Sequence, residues 1–542
     1  MGVLLRADWY RRFATFGLFA VSSIVLWGCG GGGGSNADQA VPLTVPKAAC
    51  GPNDKPETAL QGQVPAALRA SGFQGFNCNL QLIGQSRGDG ASWQHAFFKD
   101  RAGHNCAYYD TSSPVNGTAN RTHLGTVVID VSNPTNPTPT AYLTSVAMLD
   151  PWESLKVNTQ RQLLGGEDGT NATGTSQLDL YDISGDCTHP QLLSSVATGT
   201  AANGDGAALP TGQNLAGHEG NFSPDGLTWY SGDRGTPKKY TATDISNTTH
   251  PKLLGTWTLP QSVPTTAITT HGLTVSDDGT RAYVSHAGRM QDGRAGVDLL
   301  MSPPANGILI LDVSDFQKRL PNPQFRQVGV LLWRDGGQMQ HTIPMTIGGK
   351  SYLVAIEEGG PSSSDMTGWR AACAAGLPPF PVARIIDISD ETNPKTTSKL
   401  RLETHDPANC DKVLPDLAGL SSFTYGSHYC SVDNRHNATT LACGYFNSGI
   451  RVFDIRDPVR PKEIAYYNPS GTITGSPGSN HFARLPAQWV AGGPDWCNAQ
   501  VRLDAATASL QTTCQDNGFL SLKFTNGVWP FPESTTPPGL QN

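Results

Sequence analysis

The stretch that decides the fold is VVIDVSNPTNP at residues 127–137, an apolar run closed by Asp130, an aliphatic residue and Ser132. The phrase returns as LDLYDISGDCTHP (178–190), YTATDISNTTHP (240–251), LILDVSDFQKRLPNP (309–323), RIIDISDETNP (384–394) and RVFDIRDPVRP (451–461). Its acidic residue falls at Asp130, Asp182, Asp244, Asp312, Asp387 and Asp454, and a second apolar segment such as KLLGTW or QVGVLLW follows. A phrase copied at such intervals marks a supersecondary unit that cannot bury its own face and must stack on its neighbours. The spacings of 52, 62, 68, 75 and 67 residues exceed the ~40–45 residues of a compact four-stranded propeller blade. The blades therefore carry insertions.

Within a unit, turn residues give the order of strands. Blade 4 runs HGLTVSDDGTRAYVSH, a long segment, ILILDVSD and QVGVLLW; an Asp-Gly pair between apolar runs signals a hairpin. We call the four strands a to d. NFSPDGLTWYSG and IPMTIGGKSYLVAIEE repeat the scheme in blades 3 and 5. A seventh, degenerate unit reads HFARLP, QWVAGG and GFLSLKF with no strand d of its own, while NLQLIGQSRG (79–88) near the N-terminus has a strand-d pattern. Pairing the two would close a ring and remove both open edges. The expected fold is all-β: a seven-bladed β-propeller over residues 75–526, closed by an N-terminal strand. Six blades with an unrelated tail is the alternative. Residues 527–542 read as a Pro-rich tail.

The repeats resemble the LVIVD repeat of bacterial surface and exported proteins, which forms β-propellers. The resemblance implies the fold and is nearly silent on function. Exported propellers of the selenium-binding/methanethiol oxidase family also combine His-led strands with DISDP-like endings. That likeness implies a copper-dependent enzyme as one class of function, with no ligand set to carry over.

Composition agrees with a turn-rich all-β chain: 60 Gly, 39 Pro and 15% charged residues in 542. A net charge of −7 offers no basic footprint, which excludes nucleic acid as a partner. Arg6, Arg11 and Arg12 precede the apolar run FATFGLFAVSSIVLW and Gly28-Cys29. These are the flanks of a signal peptide (1–28). Leu26-Trp27-Gly28-Cys29 resembles a bacterial lipobox, implying acylation at Cys29, a membrane anchor and, with Gly30 next, sorting to the outer membrane. Residues 29–74 read as a flexible tether and N-terminal extension, beginning with GGGGGSN after Cys29. Of the 11 Cys, ten remain after Cys29, enough for five bridges in an oxidising compartment. Cys430–Cys443, Cys497–Cys514 and Cys373–Cys410 are the expected pairs; Cys50, Cys78, Cys106 and Cys187 cannot be paired from sequence.

Strand a opens with His in nearly every unit: His95, His218, His271, His341, His428 and His481, with Glu153 at the corresponding place in blade 2. Strand a is innermost, so these residues form a ring at one mouth of the central channel. One reading ties each His to the Asp of its own blade. The other makes several of them ligands for copper or zinc, because neutral imidazole with a carboxylate suits such ions. The b–c and d–a connections share the His face and carry the long insertions at 286–307, 358–381, 403–422 and 493–516, as functional loops do. Strand b ends on that face with polar residues, making Glu167, Asp233, His286 and Glu357, together with Glu153, candidate ligand-binding residues. No nucleophile elbow, His-Glu-x-x-His, P-loop or dinucleotide fingerprint is present. The chain thus reads as an exported, lipid-anchored propeller presenting a His- and carboxylate-lined face to a protein, glycan, small ligand or metal. The alternative is a metal-dependent, oxidase-like enzyme.

Overall fold

The computed structural model describes residues 44–534, except 92, 112–121, 169–176, 198–216, 234–238, 259–268, 288–305, 336, 360–365, 418–422 and 472–492. Seven antiparallel sheets follow one another along the chain, each counted outward from its innermost strand. The innermost strands are His95–Lys99, Lys156–Asn158, Glu219–Phe222, Thr269–Val275, Gln338–Ile347, Ser427–Val432 and Arg502–Asp504. This is a seven-bladed β-propeller.

The repeated phrase has a local cause. In all six copies an Asp Oδ1 accepts the backbone N–H two residues on, at Ser132, Ser184, Ser246, Ser314, Ser389 and Arg456, over 2.8–3.1 Å. Each Asp therefore closes an Asx turn after strand c. The aliphatic residue between is buried, and its N–H reaches back to the start of strand b, as from Ile245 to the Leu227 carbonyl at 3.0 Å. The Asp residues are spent on their own turns and, among the described residues, do not hold the ring histidines.

Ring closure is as expected. Leu80–Ser86 pairs antiparallel with Gly518–Phe524, supplying the outer strand of blade 7. Just before it, Phe76–Cys78 adds a fifth strand to blade 6 against Lys462–Asn468. The N-terminal segment thus joins two blades, with the left-handed Asn79 (φ 57°) at the crossing.

Three expectations need correction. Residues 44–74 are not tether: Val45 sits in the core shared by blades 5 and 6, and the buried Arg451 is paired with Glu57 as well as Glu463. Val64 and Phe73 join Phe76 and Tyr466 in a buried cluster with Leu68 packed against it, and the Cys50–Cys78 bridge ties the segment down. The inner strands of blade 7 are Arg502–Asp504 and Ser509–Cys514, within the stretch 493–516 expected as a loop. HFARLP, with His481, and most of QWVAGG lie outside the described residues, as do Cys29 and the leader. The tail is packed to the end of the described residues: Trp529 is buried against Phe524 at a ring separation of 4.7 Å, and Arg456 lies 3.7 Å over the Phe531 ring.

All ten cysteines after Cys29 are bridged. The three expected pairs form, and the remaining four join as Cys50–Cys78 and Cys106–Cys187. The last ties blade 1 to blade 2. Among the described residues no helix is long and apolar enough to cross a membrane.

Candidate functional site: a histidine and carboxylate cluster on the channel

The inner strands are irregular where the histidines fall. Pairing of strand a with strand b slips between Thr270 and Leu273, between Met339 and His341, and between Ser427 and Cys430. A β-bulge re-aims side chains that a regular pleat would send to alternate faces. Here the slips flank His271, His341 and His428, and two of these three converge with residues from other blades.

Glu153 is the hub. Its Oε2 lies 2.8 Å from His218 Nε2 and 3.4 Å from His271 Nε2, and its Oε1 lies 2.8 Å from His428 Nε2. Glu358, the last residue of strand Lys350–Glu358, completes the group at 3.3 Å from His271 Nε2 and 3.2 Å from His428 Nε2. All five side chains are buried. Blades 2, 3, 4, 5 and 6 each supply one, so the cluster spans the channel.

A second set of groups orients the rings. His428 Nδ1 faces the Asn498 carbonyl at 2.9 Å, and His271 Nδ1 faces the Gln340 carbonyl at 3.0 Å and Glu219 Oε2 at 3.1 Å. These acceptors at Nδ1 fix the ring orientation that turns Nε2 toward the carboxylates. Glu219 is steadied in turn by Lys156 Nζ at 3.5 Å and Gln340 Nε2 at 3.4 Å. Gly272 makes this possible, since a Cβ there would lie 2.4 Å from Glu219 Oε2.

Titration follows from this geometry. Burial pushes the Glu153 carboxyl upward, but bonds to His218 and His428 and nearby imidazolium charge outweigh it and hold it well below the usual range. Burial and repulsion from Glu153 push Glu358 up, and its bonds to His271 and His428 bring it down to about 2. Burial lowers both imidazoles, yet the carboxylates raise His271 to about 10 and His428 to about 9. Two anions thus face imidazoles held as cations, and a divalent ion would take the place of those protons.

The other expected residues fall elsewhere. His341 bonds the Gln340 side chain through Nδ1 and packs on the Tyr429 ring at 4.6 Å; burial keeps it neutral. His95 is held against Thr513 and Phe97 and is lowered by burial to about 3. Glu167 clamps blades 2 and 3, accepting bonds from Gly217 N, Trp229 Nε1 and Ser231 Oγ. Glu357 accepts from Asn306, Trp333, Val382 and Arg384, a buried tie within and beside blade 5. His286 is buried opposite Thr270 at the end of its strand, and Asp233 pairs through its backbone with Lys239. Of the candidates, Glu153, His218, His271 and His428 come together. Glu357 and Glu358 both end strand b of blade 5, and Glu358 is the one that reaches the cluster; a strand alternates faces, and sequence does not say which face turns inward. Glu219 directly follows a ring His, and that adjacency is its only signal in the sequence.

The seventh position of the ring can now be placed. Gln340 and Asn498 accept equivalent bonds through their carbonyls, and Gln340 immediately precedes His341. By the same step Ala499 stands at the blade 7 position, while His481 lies outside the described residues.

Residues 124–141 match the family model of the LVIVD repeat, covering strand Thr126–Asp130, its Asx turn and the start of strand d. This is a seven-bladed propeller carrying an LVIVD repeat. No curated protein matches the chain in sequence. Among solved structures it is similar to a putative 6-phosphogluconolactonase from Bacteroides uniformis, at 13% identity over 78% of this chain and 91% of that one, TM-score 0.44. A second, from Bacteroides fragilis, matches at 11% identity over 75% of this chain and 95% of that one, TM-score 0.42. No activity is carried from either to the LVIVD propeller.

Proposed function

We propose that this chain is an exported, lipid-anchored propeller that binds a divalent transition-metal ion at the centre of its channel. Glu153 is the shared ligand, and the ion would be held with His218 and His271 on one side of it or with His428 and Glu358 on the other. One observation carries the reading: in a buried group, the Nε2 atoms of His218, His271 and His428 lie 2.8–3.4 Å from Glu153, and those of His271 and His428 lie 3.2–3.3 Å from Glu358 as well. Those separations suit donors around one ion at ~2.0–2.2 Å, and the Nδ1 atoms of His271 and His428 are already engaged as metal-bound imidazoles require. Nitrogen and carboxylate donors without a thiolate suit zinc, iron, manganese or copper(II), and speak against copper(I). A metal so bound would supply a Lewis acid or redox centre; the protein's part is to fix the rings and exclude water.

A metal-free reading has one observation in its favour, since the carboxylates and imidazolium cations balance each other without an ion. Metal analysis of protein purified from its native compartment separates the two. Near-stoichiometric metal in the wild type, lost in Glu153→Gln, is the expected result. Wild-type protein that neither carries metal nor takes up zinc, manganese or iron after dialysis would sink the proposal. Export is supported by the leader pattern and by five bridges among ten cysteines. Anchoring at Cys29 is tested by fractionation: Cys29→Ser should move the protein from the membrane to the soluble fraction.

A further inference from the structure

A carboxylate that serves one ion turns one oxygen, or both together, to a single place. In the channel cluster the two oxygens of each carboxylate face different histidines. Glu153 turns Oε2 to His218 Nε2 at 2.8 Å and His271 Nε2 at 3.4 Å, and Oε1 to His428 Nε2 at 2.8 Å. Glu358 repeats the division, with Oε1 at 3.3 Å from His271 Nε2 and Oε2 at 3.2 Å from His428 Nε2. The donors fall accordingly into two groups that share Glu153: one with His218 and His271, the other with Glu358 and His428. Within each group the donor atoms lie within 4.8 Å of one another. On the first side the rings of His218 and His271, from neighbouring blades, meet edge to face at 4.7 Å.

We propose that both sides are filled together: the cluster is a dinuclear centre, two divalent transition-metal ions bridged by Glu153 and Glu358, which rests on the metal reading above and sets the number of ions. The first ion would take His218 Nε2, His271 Nε2, Glu153 Oε2 and Glu358 Oε1. The second would take His428 Nε2, Glu153 Oε1 and Glu358 Oε2. Carboxylates that bridge through both oxygens suit ions ~3.5–4 Å apart, the spacing of two-metal hydrolytic sites. Four protein donors complete the first position, and three leave the second with room for a further ligand. The outer shells differ as well. His271 Nδ1 faces the Glu219 carboxylate at 3.1 Å, whereas His428 Nδ1 faces the neutral Asn498 carbonyl at 2.9 Å. A carboxylate behind an imidazole strengthens it as a ligand, so the first position fills first.

The test counts zinc in the purified full chain after stripping with EDTA, reloading with excess zinc(II) and desalting. Two ions per chain are expected in the wild type, and its X-ray absorption should show a zinc–zinc scattering path at ~3.5–4 Å. His428→Ala leaves the second position with carboxylate oxygens alone, so one ion should remain. The double variant His218→Ala/His271→Ala should also keep one, held roughly tenfold more weakly than the ion left in His428→Ala. His104→Ala controls for the separate group of Asp100, His104 and Asp186 and should leave the count at two. One ion per chain in the wild type, or two without the zinc–zinc path, overturns the pair and leaves the single-ion reading standing. No zinc at all overturns the pair too, and the metal reading falls with it when manganese and iron also fail to bind. The wild-type count and scattering path need no variant, so they decide the matter even where a histidine variant fails to fold.

Discussion

Gly272→Ala offers a sharp test of how the cluster is held. The backbone at Gly272 needs no positive φ, so alanine is tolerated by the chain itself. The added Cβ, however, would stand 2.4, 2.5 and 2.6 Å from Oε2, Cδ and Oε1 of Glu219. Ordinary contact begins near 3.4 Å, so the carboxylate must retreat by about 1 Å or the strands must part. A carboxylate at the tip of a flexible side chain would usually give way cheaply. Here it is buried and engaged by His271 at 3.1 Å, Lys156 at 3.5 Å and Gln340 at 3.4 Å. Retreat breaks the bond that orients His271. Overpacking of this kind costs roughly 1–3 kcal/mol, and in a cooperative unit of this size that is roughly 1–3 °C in Tm. Metal affinity should fall by roughly 10–100-fold, the effect of losing an outer-shell partner of a ligating histidine. The assay is a double-mutant cycle with Glu219→Ala, read by thermal unfolding and by competition against a metal chelator. In the Glu219→Ala background the space is vacated, so Gly272→Ala should cost close to nothing in either readout. An equal loss in both backgrounds would refute the argument that Glu219 is what the glycine accommodates.

Three further outcomes are expected. Removing the Cys106–Cys187 bridge, which closes a separation of 81 residues, should cost about 4.5 kcal/mol by chain entropy. Removing Cys430–Cys443, at a separation of 13, should cost about 2.9 kcal/mol by the same relation, and denaturant unfolding of the Ala pairs gives the ranking. Burial raises Asp335, but Arg384, Lys399 and Arg401 hold it well below the usual carboxylate range. Its stabilisation is therefore present above the unfolded pKa near 4 and is lost as pH falls through the lower folded value. Asp335→Asn should destabilise at pH 7 by about 3 kcal/mol, the low end for breaking a buried pair because Glu357 still faces Arg384, and the gap to wild type should close in acid melts. Deleting residues 76–86 removes the outer strand of blade 7 and leaves Gly518–Phe524 with an open edge, so soluble yield should collapse and light scattering should rise.

The chain by itself determined the repeat and hence the architecture. Asp, an aliphatic residue and Ser recur because each copy solves one local problem: Asp closes its own Asx turn while the aliphatic side chain enters the core. Such interactions span two residues, so they are written in the order of the letters. The closing strand Leu80–Ser86 was legible for a related reason, as its pattern matched a strand the last unit lacked. The candidate cluster was legible only in part. Repeat position placed Glu153, His218, His271 and His428 at one mouth, but only the tertiary structure selected these from the ring and set His95 and His341 aside. Selection depends on bulges that rotate individual side chains and on which residue across the channel lies opposite, distances set by blades hundreds of residues apart. The packing of residues 44–74 was decided there too. Closing the ring brings the first blade against the last, and no local pattern in the sequence records that contact.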